Sequence, residues 1–325
     1  MVENGFRMFT FDPSEFVVNE ADHISENELD KRINNLNWKG LQSNIKELSA
    51  DYLDKEFILS DSLKINPDLI SIKKALVKYG NAIAHIKKLY DHLVTKYPNY
   101  ESEVEISVDE TESVTTPFEH FFFVKELNRL GVKFISLAPR FIGDFEKGID
   151  YKGDLDLFKQ EYLKHLAITK YFGNYKISLH SGSDKFSVYK VIGSIKGAYT
   201  HIKTAGTSYL EALKVMAIKE PEFFREILDY CTSLYEQEKK TYHVSADLNK
   251  IKSAKDYKNE ELESLFYDDN VRQVLHVTFG RILTDKNGSG EYKFKDRLLG
   301  FLKMYEETYY EIIEIHFHKH LYPFK

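Results

Sequence analysis

Short apolar or alternating runs recur along the chain, and between them lie stretches whose apolar residues fall three and four apart. The first kind of pattern predicts strands and the second predicts helices. Strands are expected at 6–11 (FRMFTF), 56–60, 103–110 (EVEISVDE), 132–139, 175–181 (YKISLHS), 198–204, 242–248 (YHVSADL) and 272–279 (RQVLHVTF). Among the helices, TTPFEHFFFVKELNRLG carries its own start and stop. Thr116 caps it, Pro117 takes the first position, Glu119 completes a capping box and Gly131 ends it. NAIAHIKKLYDHLVTKY places Ile83, Ile86, Leu89, Tyr90 and Leu93 on one face, and LFKQEYLKHLAITKYFG closes on a glycine. Ser208 and Glu211 predict a second capping box.

Strands alternating with helices across short connections argue for a parallel α/β fold. A count near eight favours a (β/α)8 TIM-barrel-like barrel, with an N-terminal extension and a C-terminal helix. The chain is expected to form a single catalytic domain over 1–325, with a less regular segment at 1–55 and a surface insertion at 250–268. No GxGxxG follows the first strand and no GxxxxGK[ST] occurs, so dinucleotide and P-loop readings lose their usual support.

Composition narrows the classes further. The net charge of −6, with both signs interspersed, argues against a nucleic-acid surface. One cysteine, Cys231, excludes an intrachain disulfide or a thiolate metal cluster, and its apolar-periodic surroundings suit a buried thiol. The start MVENGFRMFTFDPSEF has no signal-peptide pattern, and no run approaches the ~20 apolar residues of a bilayer span. A cytoplasmic protein without membrane partners is expected.

In such barrels the chemistry collects at the C-terminal ends of the strands. Those ends carry Asp109 and Glu110, then Arg140, Glu146, His180, His201, His243 and His276. A lone strand histidine is more often a hydrogen-bonded core residue. Four consecutive predicted strands bearing one near the same end point instead to a metal site. Imidazole and carboxylate without cysteine suit zinc, manganese, nickel, cobalt or iron. His316, His318 and His320 read as a helix end or tail. Asp109 and Glu110 are placed to divide roles, one moving protons and the other binding metal. Two turns offer free backbone N–H groups to an anionic substrate. One holds Ser181, Ser183 and Lys185; the other runs from Lys203 and Thr204 through Ala205 and Gly206 to Thr207.

The blocks EVEISVDETESVTTPFEHFFFVKELNRLGVKFISLAPRFIGDFEKGIDY, KISLHSGSDKFSVY and HIKTAGTSYLEAL resemble the tagaturonate epimerase family. The resemblance covers residues 100–215 and extends more loosely through HVTFGRIL and HLYPF. It implies interconversion of D-tagaturonate and D-fructuronate with a divalent cation. Carried over by position, it implies Asp109 as proton acceptor, Glu146 as proton donor, and Glu110 and His180 as metal ligands. His201 is expected as a further ligand, with His243 and His276 in reserve. Arg140, Ser181, Ser183, Lys185, Lys203, Thr204 and Thr207 are the expected substrate contacts. The two sugars differ at C4 while the ketone is at C2, so the C4 hydrogen is not acidic. Retro-aldol cleavage of C3–C4, rotation and recombination fits instead. A metal-dependent aldolase or isomerase acting on another sugar acid or a free ketohexose is the competing enzyme reading, and a sugar-acid-binding domain without turnover is the non-enzymatic one. Homo-oligomerisation is left open.

Overall fold

A computed structural model of the chain describes residues 1–204 and 207–325. The fold is α/β and TIM-barrel-like, with helical segments at both ends. After β1 (Met8–Phe11), the strands β2 (Phe57–Ser60) and β3 (Leu63–Ile65) pair with each other as a separate antiparallel hairpin. The main sheet has the order β1, β4 (Glu103–Ser107), β5 (Ser136–Ala138), β6 (Lys176–Leu179) and β7 (Thr200–Ile202). Its first three pairs are parallel, with Met8 opposite Glu103, Glu105 opposite Ser136, and Ser136 opposite Lys176. A helix stands between each of the last four strands: Pro117–Arg129, Leu155–Tyr171 and Phe186–Gly193. Parallel neighbours need such crossovers.

Two strand expectations fail. Residues 242–247 have no regular structure, and 272–279 falls mainly in the helix Asp269–Val277. There Asp268 accepts from the N–H groups of Asn270 and Val271, and Val271, Val274 and Leu275 are buried at helical spacing. The valines that suggest a strand therefore form one face of a capped helix. With the strand expected at 56–60 placed in the separate hairpin, the described main sheet has five strands rather than eight.

The chain folds as two compact units. The first comprises 1–142, 156–180 and 197–201. Its core joins Val104, Ile106 and Val108 to Phe121, Phe122 and Val124 of the helix Pro117–Arg129. Ile72, Leu76, Ile83 and Ile86 of the long helix Leu69–Lys96 complete it. The helix start at Thr116 is as expected, capping box and Pro117 included. Residues 1–55 supply β1, three 3-10 turns and three short α-helices.

Lys78, fully buried on the long helix, lies 2.7 Å from Glu119 and 3.1 Å from Asp22. Removing the cation strands two partly or wholly desolvated carboxylates. Lys78→Met is expected to lower the unfolding free energy by about 3–5 kcal/mol, the usual cost of breaking a buried pair. Urea denaturation with an unchanged m-value checks this, and an unaltered midpoint contradicts it.

Two histidines set a pH limit on the same unit. His120 and His165 are buried with their Nδ1 atoms 2.8 Å apart, and the Tyr175 hydroxyl lies 2.5 Å from His120 Nε2. Burial depresses both imidazoles, His165 to about 4. The unfolded chain takes up these protons near pH 6.5, whereas the folded chain resists them until lower pH. Their contribution is complete above 6.5 and drains away as pH falls toward 4. His165 alone accounts for up to roughly 3 kcal/mol on that basis. The urea midpoint is expected to drop between pH 7 and 5, before the depressed carboxylates begin to titrate; equal midpoints would contradict the assignment.

The second unit comprises 143–155, 181–196 and 202–325 and is helical. Its core is built from Leu213, Met216, Phe224, Ile227, Val274, Leu275 and Leu298. The segment 250–268 contributes Ala254, Leu262, Leu265 and Phe266 to that core, so it is no surface insertion. Cys231 is buried there, its thiol pushed up to about 12 by burial. Among the described residues no helix is long and apolar enough to cross a membrane.

Candidate active site and metal centre

The alternation in EVEISVDE decides where the first unit keeps its polar groups. Val104, Ile106 and Val108 enter the core, which sends Glu105, Ser107 and Asp109 to the opposite side. Glu105, fully buried in β4, is the hub. Its Oε1 lies 2.8 Å from His180 Nε2, and its Oε2 lies 2.6 Å from His201 Nδ1. Ser136 donates to it at 2.7 Å and Thr10 at 3.2 Å. Burial raises its pKa, but the bonds from His180, His201, Ser136 and Ser178 overcome that and hold it far below the usual carboxylate range.

His180, at the end of β6, turns its other nitrogen to Asp109, 2.9 Å away. Ser107 also donates to that Asp109 oxygen at 2.5 Å. Burial raises the Asp109 pKa while His180 and Ser107 lower it further, and the net shift is downward. The result is a chain, Asp109–His180–Glu105–His201, in which carboxylate and imidazole alternate. His180 can donate to both acids only as the imidazolium. Arg140, after β5, is half-buried; its backbone exchanges bonds with Thr115, and no ion pair engages its guanidinium among the described residues.

The five expected metal ligands do not gather into one group. Glu110 is exposed, and His180 and His201 are committed to Glu105. His243 is two-thirds exposed in an irregular segment, 3.5 Å from Asp144. His276 sits on a helix, not at a strand end. It is depressed to about 4 by burial and by Lys147, Arg272 and Lys185. Gly148, at φ +77°, lets the chain pass it closely: a Cβ there would lie 3.3 Å from that of His276.

Among the described residues, metal-ligand geometry is met by Asp184, His316 and His320, all buried. His316 and His320 are four apart on the helix Glu306–Leu321 and so share a face. They do lie at a helix end, as read from the sequence, but His316 and His320 are buried there rather than forming a tail. Asp184 stands in the turn after β6, where Ser181 (φ 48°) and Asp184 (φ 60°) both adopt left-handed backbone that non-glycine residues rarely take. Arg272 donates to Asp184 Oδ2 at 2.7 Å. Asp184 Oδ1 is buried without a hydrogen bond, 3.6 Å from His316 Nε2 and 3.8 Å from His320 Nε2. An orphaned carboxylate oxygen facing two imidazole nitrogens is a donor set suited to a divalent cation, with coordination positions left over.

Other expectations change character here. Lys185 is fully buried, and its ammonium donates to the carbonyls of Glu146, Ile149 and Ser183. Burial pulls it down to about 8. It ties the 146–149 segment to the turn and has no hydrogen left for a substrate carboxylate. Glu146 accepts from Gln273 at 2.6 Å and Ser245 at 2.7 Å. Burial opposes ionisation, yet these bonds lower its pKa on balance. In the structure its carboxylate, expected as a proton donor, serves as hydrogen-bond acceptor to Gln273 and Ser245. Ser181 accepts from Lys147 at 2.7 Å, and Ser183 is buried. Lys203 and Thr204 are exposed, and Thr207 lies buried 3.3 Å from His316 Nε2. Ala205 and Gly206 of the second turn lie outside the described residues. The helix beyond begins at Thr207, leaving Ser208 inside it, and Glu211 engages His316 instead of a cap.

Sequence reasoning overlooked Glu105, Asp184, Glu211 and Arg272. For Glu105 a signal existed, since an acid inside a fully buried parallel strand demands partners.

Together these features define a TIM-barrel-like α/β protein that carries a buried acid–imidazole chain and a metal-capable Asp/His/His cluster. The tagaturonate epimerase (UxaE) family model matches residues 1–323, and the chain belongs to that family. It is 44% identical over 317 residues to the tagaturonate/fructuronate epimerase of Thermotoga maritima, covering 98% of this chain and 63% of that protein. Crystal structures of the fructuronate-tagaturonate epimerase UxaE from Cohnella laeviribosi, native and with one glycerol, superpose with a TM-score of 0.92 at 36% identity. They cover 99% of this chain, which spans 64% of theirs. The chain thus spans less than two thirds of the length of these relatives.

Proposed function

We propose that the chain interconverts D-tagaturonate and D-fructuronate by C4 epimerisation in a divalent-cation-dependent reaction of cytoplasmic sugar-acid breakdown. The observation that carries the reading is Asp109, an ionised carboxylate at a strand end with one oxygen clamped by His180 and Ser107. Its other oxygen is the base for the C4 hydroxyl proton. As that O–H bond gives up its electrons to a C4 carbonyl, C3–C4 breaks and its pair passes to the C1–C3 fragment. Rotation of the aldehyde and reclosure on its other face, with a proton returned to oxygen, gives the epimer. The Asp109–His180–Glu105 chain keeps the base oriented and, through the His180 ring, compensates its charge. Asp184, His316 and His320 are the residues that would hold a divalent cation, whose chemistry when bound is Lewis-acid stabilisation of developing negative charge. Arg140 carries a guanidinium suited to the far carboxylate.

The experiment is an incubation of D-tagaturonate in D₂O, beside fructose and tagatose as controls, followed by NMR. Appearance of D-fructuronate with its C4 hydrogen retained supports the reading. Conversion of the free ketohexoses alone, or full deuteration at C4, contradicts it.

A further inference from the structure

We infer that Glu211 is the positioning residue of the metal centre: it holds His316 with Nε2 facing Asp184, and so sets how tightly a divalent cation binds. The inference rests on Asp184, His316 and His320 being the ligands.

Glu211 lies on the helix Thr207–Lys219 between Leu210 and Ala212–Leu213, all buried. A carboxylate in that company is costly unless it is paired. Its partner is His316, whose Nδ1 is 3.2 Å from Glu211 Oε1. That contact places the ring proton on Nδ1 and leaves the Nε2 lone pair for a metal. The Thr207 hydroxyl, 3.3 Å from the same Nε2, is a polar neighbour that a cation would displace.

The other two ligands have orienting partners of their own. His320 gives its Nδ1–H to the His316 carbonyl at 2.9 Å, and Asp184 has Oδ2 fixed by Arg272 at 2.7 Å. Arg272 is itself anchored on the carbonyls of Gly148 and Phe266. The atoms that face one another are Asp184 Oδ1, His316 Nε2 and His320 Nε2, the last of which accepts from the Asp184 backbone N–H at 3.3 Å, a bond that a cation would displace. Glu211 is the one charged acceptor behind an imidazole in this set. A carboxylate there makes the opposite nitrogen a better donor, and loss of such a partner commonly weakens metal binding about 10–100-fold.

The test uses the full chain, freed of metal by chelator and dialysis, then titrated with Co²⁺. Visible absorption reports binding, competition with a chromophoric chelator gives Kd, and thermal melts are recorded with and without metal. The expected result is one bound Co²⁺ in the wild type and in Glu211→Gln, with Kd raised about 10–100-fold in the variant. Its metal-free Tm should be close to wild type while its metal-induced rise in Tm shrinks. A purely structural role would instead lower the metal-free Tm and leave Kd alone. Kd within twofold of wild type overturns the role of Glu211 and leaves the ligand set standing. Undiminished binding by His316→Ala overturns the ligand set and the inference with it.

Discussion

Asp109→Asn is expected to reduce kcat for epimerisation by about 10²–10⁴-fold, the range in which positioned general bases contribute. The substitution keeps the volume of the side chain and an oxygen for the Ser107 hydroxyl. It removes the negative charge and with it the capacity to take a proton from the C4 hydroxyl. His180 loses one of its two carboxylate partners but keeps Glu105, 2.8 Å from Nε2. Because the site stays filled and hydrogen-bonded, KM should change little and the melting temperature should remain within a few degrees. NMR time courses beside circular-dichroism melts separate the effects. A variant that keeps more than a tenth of wild-type kcat would show that another group is the base.

Asp184→Asn is expected to remove the bound cation and to bring turnover down to that of chelator-treated wild type. Lewis-acid stabilisation worth several kcal/mol corresponds to about two or more orders of magnitude in rate. Asparagine retains an oxygen for Arg272 but lacks the charge that draws in a divalent ion between two imidazoles. Elemental analysis after dialysis is the direct measurement: near-stoichiometric metal in the wild type and almost none in the variant. Metal retained at wild-type stoichiometry would mean that the ligands lie elsewhere. Arg272, mostly buried, loses a charge-assisted partner, so a stability loss of about 1–3 kcal/mol is expected alongside.

Local signals were legible where the chemistry is local. Thr116, Pro117 and Glu119 satisfy one another within a single turn, so the helix start could be read from four residues. The alternation in EVEISVDE likewise announced a strand with two unlike faces, and the long motif blocks announced the family. What failed depended on distant partners. His316 and His320 read correctly as a helix end, but their grouping shows only when Asp184, more than 130 residues earlier, is placed against them. Lys185 looks like an anion anchor until three carbonyls occupy it. The segment 272–279 is the exception: it looks like a strand by composition, although the local Asp268 cap and the helical spacing of Val271, Val274 and Leu275 make it a helix. His180 was expected as a metal ligand; its partners Glu105 and Asp109 make it part of an acid–imidazole chain, an arrangement its strand-end position did not specify.

Whether this chain is a cation-dependent C4 epimerase of hexuronates is decided most directly by one ¹³C NMR experiment. D-tagaturonate is followed with the chain as purified, after chelation, and after reloading with zinc, manganese, cobalt, nickel or iron in turn. Conversion toward D-fructuronate is expected, with its loss on chelation and its return with at least one of these ions. Conversion that persists without metal, or none with any ion restored, would contradict that role.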